Sequence, residues 1–105
     1  MNRRLGRSVD FARIASAALG RAAAIVPRWV PNGRREGREW VGLNPRRGDK
    51  HLGSFKVNLS NGRWLDAADG ASGGDLISLA AYLFSIDQRE AAIKVAEMMG
   101  VDPFE

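Results

Sequence analysis

Gly53-Ser54-Phe55-Lys56-Val57-Asn58-Leu59-Ser60-Asn61-Gly62-Arg63-Trp64-Leu65-Asp66 is the stretch that decides the fold class. Phe55, Val57 and Leu59 alternate with Lys56 and Asn58, the period-two pattern of a strand with one covered face. Asn61-Gly62 follows at once. Both central residues of a type I′ turn need positive φ, and this pair adopts it at little cost. Residues 63–67 then return as a second strand. With the dipeptide at the tip, Leu59 pairs with Trp64 and Val57 with Asp66. A hairpin with one apolar face needs a cover, and the flanking sequence supplies helices on both sides.

Upstream, Phe11, Ile14, Ala15, Ala18, Leu19 and Ala22 recur at three- and four-residue spacing. That pattern predicts a helix capped by Ser8 and running to about Ile25, ended by Pro27. Residues 1–7 carry Arg3, Arg4 and Arg7 and read as a flexible basic arm. Residues 28–37 form a connector with a turn at Pro31-Asn32-Gly33. Residues 38–43 suit a strand, and 44–53 a polar basic loop. Downstream, 69–74 is a small-residue loop. Ser72 and Asp75 make a capping pattern before a helix ending near Phe84, and Asp87 and Glu90 repeat it for a helix to about Met99. Gly100 and Pro103 stop that helix. The expected fold is α+β, one domain over 8–105. A small antiparallel sheet of about three strands carries one N-terminal and two C-terminal helices.

The 105 residues suit a single modest core. Cysteine is absent, so disulfides and thiolate metal sites are excluded. The alanine-rich stretch 15–26 is interrupted by Gly20 and Arg21 and is too short to span a bilayer, and no secretory leader is recognisable. No membrane association and a cytoplasmic location are expected. The net charge of +4 is segregated: residues 1–51 hold 12 Lys/Arg against 4 Asp/Glu, and 52–105 hold 4 against 8. A cationic half favours a polyanionic partner.

The residues that could carry chemistry give little support to an enzyme. Asp66 and Asp69 lack the further carboxylates that a polymerising metal site needs, and Asp is a common turn former. Residues 70–75 lack the lysine of a phosphate-binding P-loop. His51, the single histidine, has no nucleophile or orienting partner in register. No cofactor and no metal are expected. Trp64 falls on the apolar face opposite Leu59, and Trp29 sits among prolines. Trp40 suits either the core or a base-stacking platform beside Arg38. The basic residues are the better candidates. Arg34, Arg35, Arg38, Trp40, Arg46, Arg47, Lys50, Lys56 and Arg63 form the expected nucleic-acid-binding set, on two loops and the solvent side of the sheet. Such a patch grips phosphates with steep salt dependence and little sequence reading.

The run Gly53-Ser54-Phe55-Lys56-Val57-Asn58, then Gly62-Arg63-Trp64, then Gly73-Gly74-Asp75-Leu76-Ile77-Ser78-Leu79 resembles the zinc-binding domain of bacterial and phage DNA primases. In that family Cys-Pro-x-His precedes Pro-Ser-Phe-x-Val, and a hairpin leads to Cys-Phe-x-Cys and a Gly-Asp-x-Ile helix start. Asn44-Pro45 stands where the first ligand pair begins, and Asp66 and Asp69 fall near the second. None of the four ligands is present. Gly37-Arg38-Glu39-Trp40, Asn44-Pro45, Gly53-Ser54-Phe55, Trp64-x-Asp66 and Gly73-Gly74-Asp75 are also similar to a cysteine-free version at the N-termini of phage and plasmid primase-helicases. The resemblance covers about residues 27–100. It implies a zinc-ribbon-like fold without zinc, a replication setting in a phage or mobile element, and no catalytic centre. The implied partners are single-stranded or template DNA and a primase or helicase. The alternative is a protein-interaction domain that docks a replication partner or a second copy through Phe84, Met98, Met99 and Phe104 on the C-terminal side.

Overall fold

The hairpin lies at the middle of a five-stranded antiparallel meander in the computed structural model, which describes residues 7–48 and 50–105. The strands are β1 (Arg34–Glu36), β2 (Glu39–Gly42), β3 (Phe55–Asn58), β4 (Trp64–Asp66) and β5 (Ser72–Gly73), neighbours in chain order. The helices are α1 (Phe11–Leu19), α2 (Ala22–Trp29), α3 (Leu76–Phe84) and α4 (Gln88–Met99). The α+β class holds, and among the described residues there are five strands where about three were expected and four helices where three were.

The hairpin register differs from expectation. Val57 pairs with Trp64, Lys56 with Leu65 and Phe55 with Asp66. The Asn58 carboxamide explains the shift. Its oxygen accepts from the N–H groups of Ser60 (2.8 Å) and Asn61 (3.1 Å), and Asn61 Oδ1 accepts from Arg63 N–H at 2.9 Å. Short polar side chains that bond nearby amides compete with strand pairing. The loop therefore takes four residues, 59–62, and among its members Gly62 alone has positive φ (80°). The offset amounts to two residues, so every side chain keeps its face. Trp64 still points at the core.

The first helix is broken in two at Gly20 and Arg21. Asp10, not Ser8, caps α1, accepting from Arg13 N–H at 3.1 Å. Pro27 lies inside α2 and does not end it. A proline there leaves the carbonyl of Ala23 without its helical donor. Ala23 is exposed, so water can satisfy that oxygen. At α3 the cap is Asp75 and not Ser72: Asp75 Oδ1 accepts from Ser78 N–H at 2.8 Å, and the Ser78 hydroxyl returns to the Asp75 backbone. At α4 the expected cap is present, with Asp87 accepting from Glu90 N–H at 2.7 Å and Gly100 closing the helix.

All four helices cover one face of the sheet. Phe55, Val57 and Trp64 meet Ile14, Ala18, Val26, Leu76, Leu79 and the Ala91-Ala92/Val95-Ala96 side of α4. The expected basic arm lies at residues 1–6 outside the described residues, except for Arg7. Arg7 is held by the C-terminal segment, its Nε donating to the Glu105 carbonyl at 2.8 Å. Val9 forms an antiparallel bridge with Phe104, and Arg13 donates to the carbonyls of Asp102 (2.6 Å) and Phe104 (2.8 Å).

Candidate functional site

Strand alternation decides which side chains are free of the core. Arg34, Val41, Lys56, Leu65 and Ser72 share one cross-strand row on the face away from the helices. Glu36, Glu39 and Asn58 form the next row. An open groove of about 590 Å³ runs over this face, lined by Lys56, Asn58, Asn61, Arg63, Leu65 and Glu39 among others. Leu65 lies 49% exposed in it. A half-exposed leucine between a lysine and polar neighbours is an apolar contact point inside a hydrogen-bonding surface where Lys56 and Arg63 stand beside Glu39.

The nine residues expected to bind nucleic acid separate into three groups. Lys56 and Arg63 line the outer groove, with Arg34 in the same row as Lys56. Arg34 is paired with Glu36 at 2.6 Å, an exposed pair that constrains it weakly. Arg35 and Arg38 lie on the β1–β2 hairpin. Arg35 follows the opposite strand parity, opposite Trp40, and its Nε donates to the Gly37 carbonyl at 3.0 Å; Arg38 occupies the turn. Trp40 packs against the core, with its indole N–H given to the Val30 carbonyl at 2.8 Å. Its ring does not lie on the outer groove.

The third group belongs to the loop after β2. Lys50 is exposed there. Arg46 stacks over the Tyr82 ring of α3 (4.9 Å to the centroid) and donates to the Tyr82 carbonyl at 3.1 Å. Arg47 is ion-paired with Asp66 and stands 3.5 Å from Asp69 Oδ2. These two arginines therefore face the helix side of the sheet, away from Lys56. Leu65 was not singled out by sequence. Its position opposite Lys56 in the alternation is the signal that marks it as outward.

Around Arg47 the polar groups converge. Asn44 and Asp66 are fully buried. The Asn44 amide donates to Asp66 Oδ2 at 2.5 Å, and its nitrogen lies 2.8 Å from the Tyr82 hydroxyl. That hydroxyl donates to Asp69 Oδ2 at 3.2 Å. Asp66 Oδ1 accepts from Ala68 N–H at 2.9 Å. Burial pushes the Asp66 carboxyl up. The hydrogen bonds from Arg47, Asn44 and Ala68, with the charge of Arg47, outweigh it and hold the carboxyl below its ordinary value.

No family model matches the chain, and no curated protein matches it. Among solved structures, the crystal structure of the Aquifex aeolicus primase, comprising zinc-binding and RNA polymerase domains, is similar over 90% of this chain. The TM-score is 0.74 and the identity 21%. The match spans 22% of that chain, so the likeness establishes a shared fold with a fraction of the primase. The zinc implied by that fold does not suit the residues here. Structural zinc takes four Cys or His donors. Where the sequence resemblance sets the ligand pairs, Asn44, Asp66 and Asp69 surround the Arg47 guanidinium, a cation that repels another. Among the described residues no cluster of three potential ligands forms. No described helix is long and apolar enough to cross a membrane.

Proposed function

We propose that this chain is a non-catalytic nucleic-acid-binding module of a primase or primase-helicase system, the counterpart of the primase zinc-binding domain. It takes single-stranded or template DNA across the outer face of the sheet. The observation that carries this reading is the pairing of Lys56 and Arg63 with exposed Leu65 in the open groove of a primase-like fold. Lys56, Arg63 and Arg34 supply charge for phosphates, Asn58 and Asn61 supply hydrogen bonds, and Leu65 supplies an apolar surface for a base. Arg35, Arg38 and Lys50 extend the positive field from the edges. Arg46, Arg47 and Trp40 support the fold and are not part of this contact. A cytoplasmic location and a phage or mobile-element origin accompany the reading.

The test is fluorescence anisotropy with an end-labelled single-stranded oligonucleotide across a salt series. Each phosphate contact on a single strand contributes about 0.7 to the slope of log affinity against log salt. The Lys56→Ala/Arg63→Ala variant lowers affinity and reduces that slope by about 1.4. Unchanged affinity and slope would remove the groove from the argument.

A second reading is favoured by a separate apolar groove of about 360 Å³ lined by Trp29, Phe84, Ile86, Lys94 and Met98. Phe84 and Met98 are each about half exposed (52% and 51%). Met99 is buried and Phe104 lies under Arg7, so neither is free for docking. Lys94 lines this groove and Arg28 an adjoining one that shares Trp29 and Met98, and neither has an ion-pair partner among the described residues. A replication partner offering an apolar helix flanked by acidic residues fits; a second copy would set lysine against lysine. Sedimentation without DNA separates the cases, because self-association would count against an acidic partner.

A further inference from the structure

We propose that the Arg47 guanidinium does in this fold the work that a bound metal does in the zinc-containing primases: it staples the loop after β2 to the end of β4 and the turn before β5, within a network that reaches α3 through Tyr82. The inference concerns what holds the fold, and it stands whether or not the outer groove binds DNA. Three separate parts of the chain meet at this point. Asn44 and Arg47 come from the loop, Asp66 and Asp69 from the end of β4 and the turn after it, and Tyr82 from α3. Asn44 and Asp66 are the buried polar side chains among the described residues.

The chemistry resembles that of a metal centre in one respect and differs in another. A single cation draws two acidic groups from different positions to itself, as a metal draws its ligands. Arg47 pairs with Asp66 and lies 3.5 Å from Asp69, while its other nitrogen donates to Ser54 Oγ at 3.2 Å. The guanidinium is planar and presents its donors as a fork, so it links groups by directed hydrogen bonds and not by coordination. Asn44 completes the enclosure by donating to Asp66, and Tyr82 bridges Asn44 to Asp69. Every described buried side-chain nitrogen and oxygen has a partner. A fully enclosed carboxylate is tolerated only when it is paired and hydrogen-bonded in this way. A dication would have to displace Arg47 to enter, so metal and arginine are alternatives at the site.

Three variants and a chelator test the proposal by thermal unfolding of the whole chain. Removing one partner of a buried pair is strongly destabilising because it strands the other charge. Arg47→Met should lower Tm by about 10 °C or more. Arg47→Met/Asp66→Asn should recover only the part of that loss due to the unpaired carboxylate and stay below the parent, since the link is still missing. The pH response should also weaken. The parent loses stability on acidification, because Asp66 is held ionised by Arg47, Asn44 and the Ala68 N–H. Arg47→Met should show a weaker loss on acidification, because the hydrogen bond and charge of Arg47 are gone while Asn44 and the Ala68 N–H still favour the ionised carboxyl against its burial. Arg47→Lys, which keeps the charge but loses the fork, should fall between parent and Arg47→Met. EDTA and added zinc should leave the parent Tm unchanged.

A fall of Tm under 2 °C in Arg47→Met with the parent's pH profile overturns the proposal. So does a chelator-dependent Tm in the parent. If Arg47→Met does not fold, Arg47→Lys decides: a folded Arg47→Lys with a Tm below the parent's supports the staple, and one with the parent's Tm overturns it.

Discussion

The indole nitrogen of Trp64 donates to the hydroxyl oxygen of Ser78 across 2.9 Å, joining the returning strand of the hairpin to the first turn of α3. The same hydroxyl completes the capping box with Asp75. One serine thus satisfies a buried aromatic donor and a helix terminus together. Ser78→Ala should cost about 2–3 kcal/mol, from a lost cap and an unsatisfied N–H. Urea denaturation measures this, and Ser78→Ala with Trp64→Phe should cost less than the two single changes summed.

Gly73 sits where the backbone of β5 passes the Trp64 indole. A Cβ at this position would run into the indole nitrogen and the Ser78 hydroxyl, whereas one at Gly74 would meet nothing within 4 Å. Gly73→Ala should therefore lose about 1–3 kcal/mol through overpacking. Gly74→Ala should be near neutral. Equal effects in a chemical denaturation series would contradict the close approach.

Acid should destabilise the parent protein in a defined window. The Asp66 carboxyl is depressed in the folded state, so its contribution is fully present above the unfolded value near 3.8. It is lost as pH falls through the lower folded value. Asp102 shifts the same way, chiefly because it accepts from Phe104 N–H, helped by the charge of Arg7. Stability should hold from neutral pH to about 5 and decline progressively below 4. Tm against pH checks the sign, which a raised carboxyl would reverse.

Leu65 is exposed enough that its loss should scarcely move stability, within about 0.5 kcal/mol. Under the proposed function Leu65→Ala should still weaken oligonucleotide binding about fivefold, the equivalent of roughly 1 kcal/mol, without changing the salt slope. Anisotropy and denaturation on the same sample separate the two effects. Weakened binding with a reduced slope would show that charge, not the apolar contact, had been disturbed.

Much of the C-terminal half is legible in the residues. Asp87, Glu90 and Gly100 mark α4 because capping is local chemistry. Asn61-Gly62 marks a turn for the same reason. The register was missed because it depends on where the Asn58 side chain bonds, a competition that residue preferences do not rank. β1 went unseen because Arg34, Arg35 and Glu36 are all exposed and show no apolar alternation. An edge strand made of charges is held by its partner's backbone, and charge there guards against pairing with other chains. β5 is two residues long and has no pattern to read.

The cationic patch was the least legible feature. Twelve basic residues in the first half give a field, but sequence does not tell which of them are already engaged. Arg7 and Arg13 fasten the two ends of the chain, and Arg46 and Arg47 face Tyr82 and Asp66. Lys56 was correctly placed outward because strict alternation leaves it no choice. Reading a surface needs the partners of each charge, and those lie far apart along the chain.

The strand order of the meander also bears on how quickly the molecule assembles. Each strand pairs with its immediate successor, so every ladder can zip from a neighbouring turn and no distant segment has to be threaded between existing strands. Short-range closure of this kind speeds acquisition of the native topology. The bridge from Val9 to Phe104 is the opposite case, a clasp between remote ends that gains its reward only after the interior has formed. Hydrogen exchange should accordingly be fastest at that clasp and slowest at the Phe55–Val57 rungs.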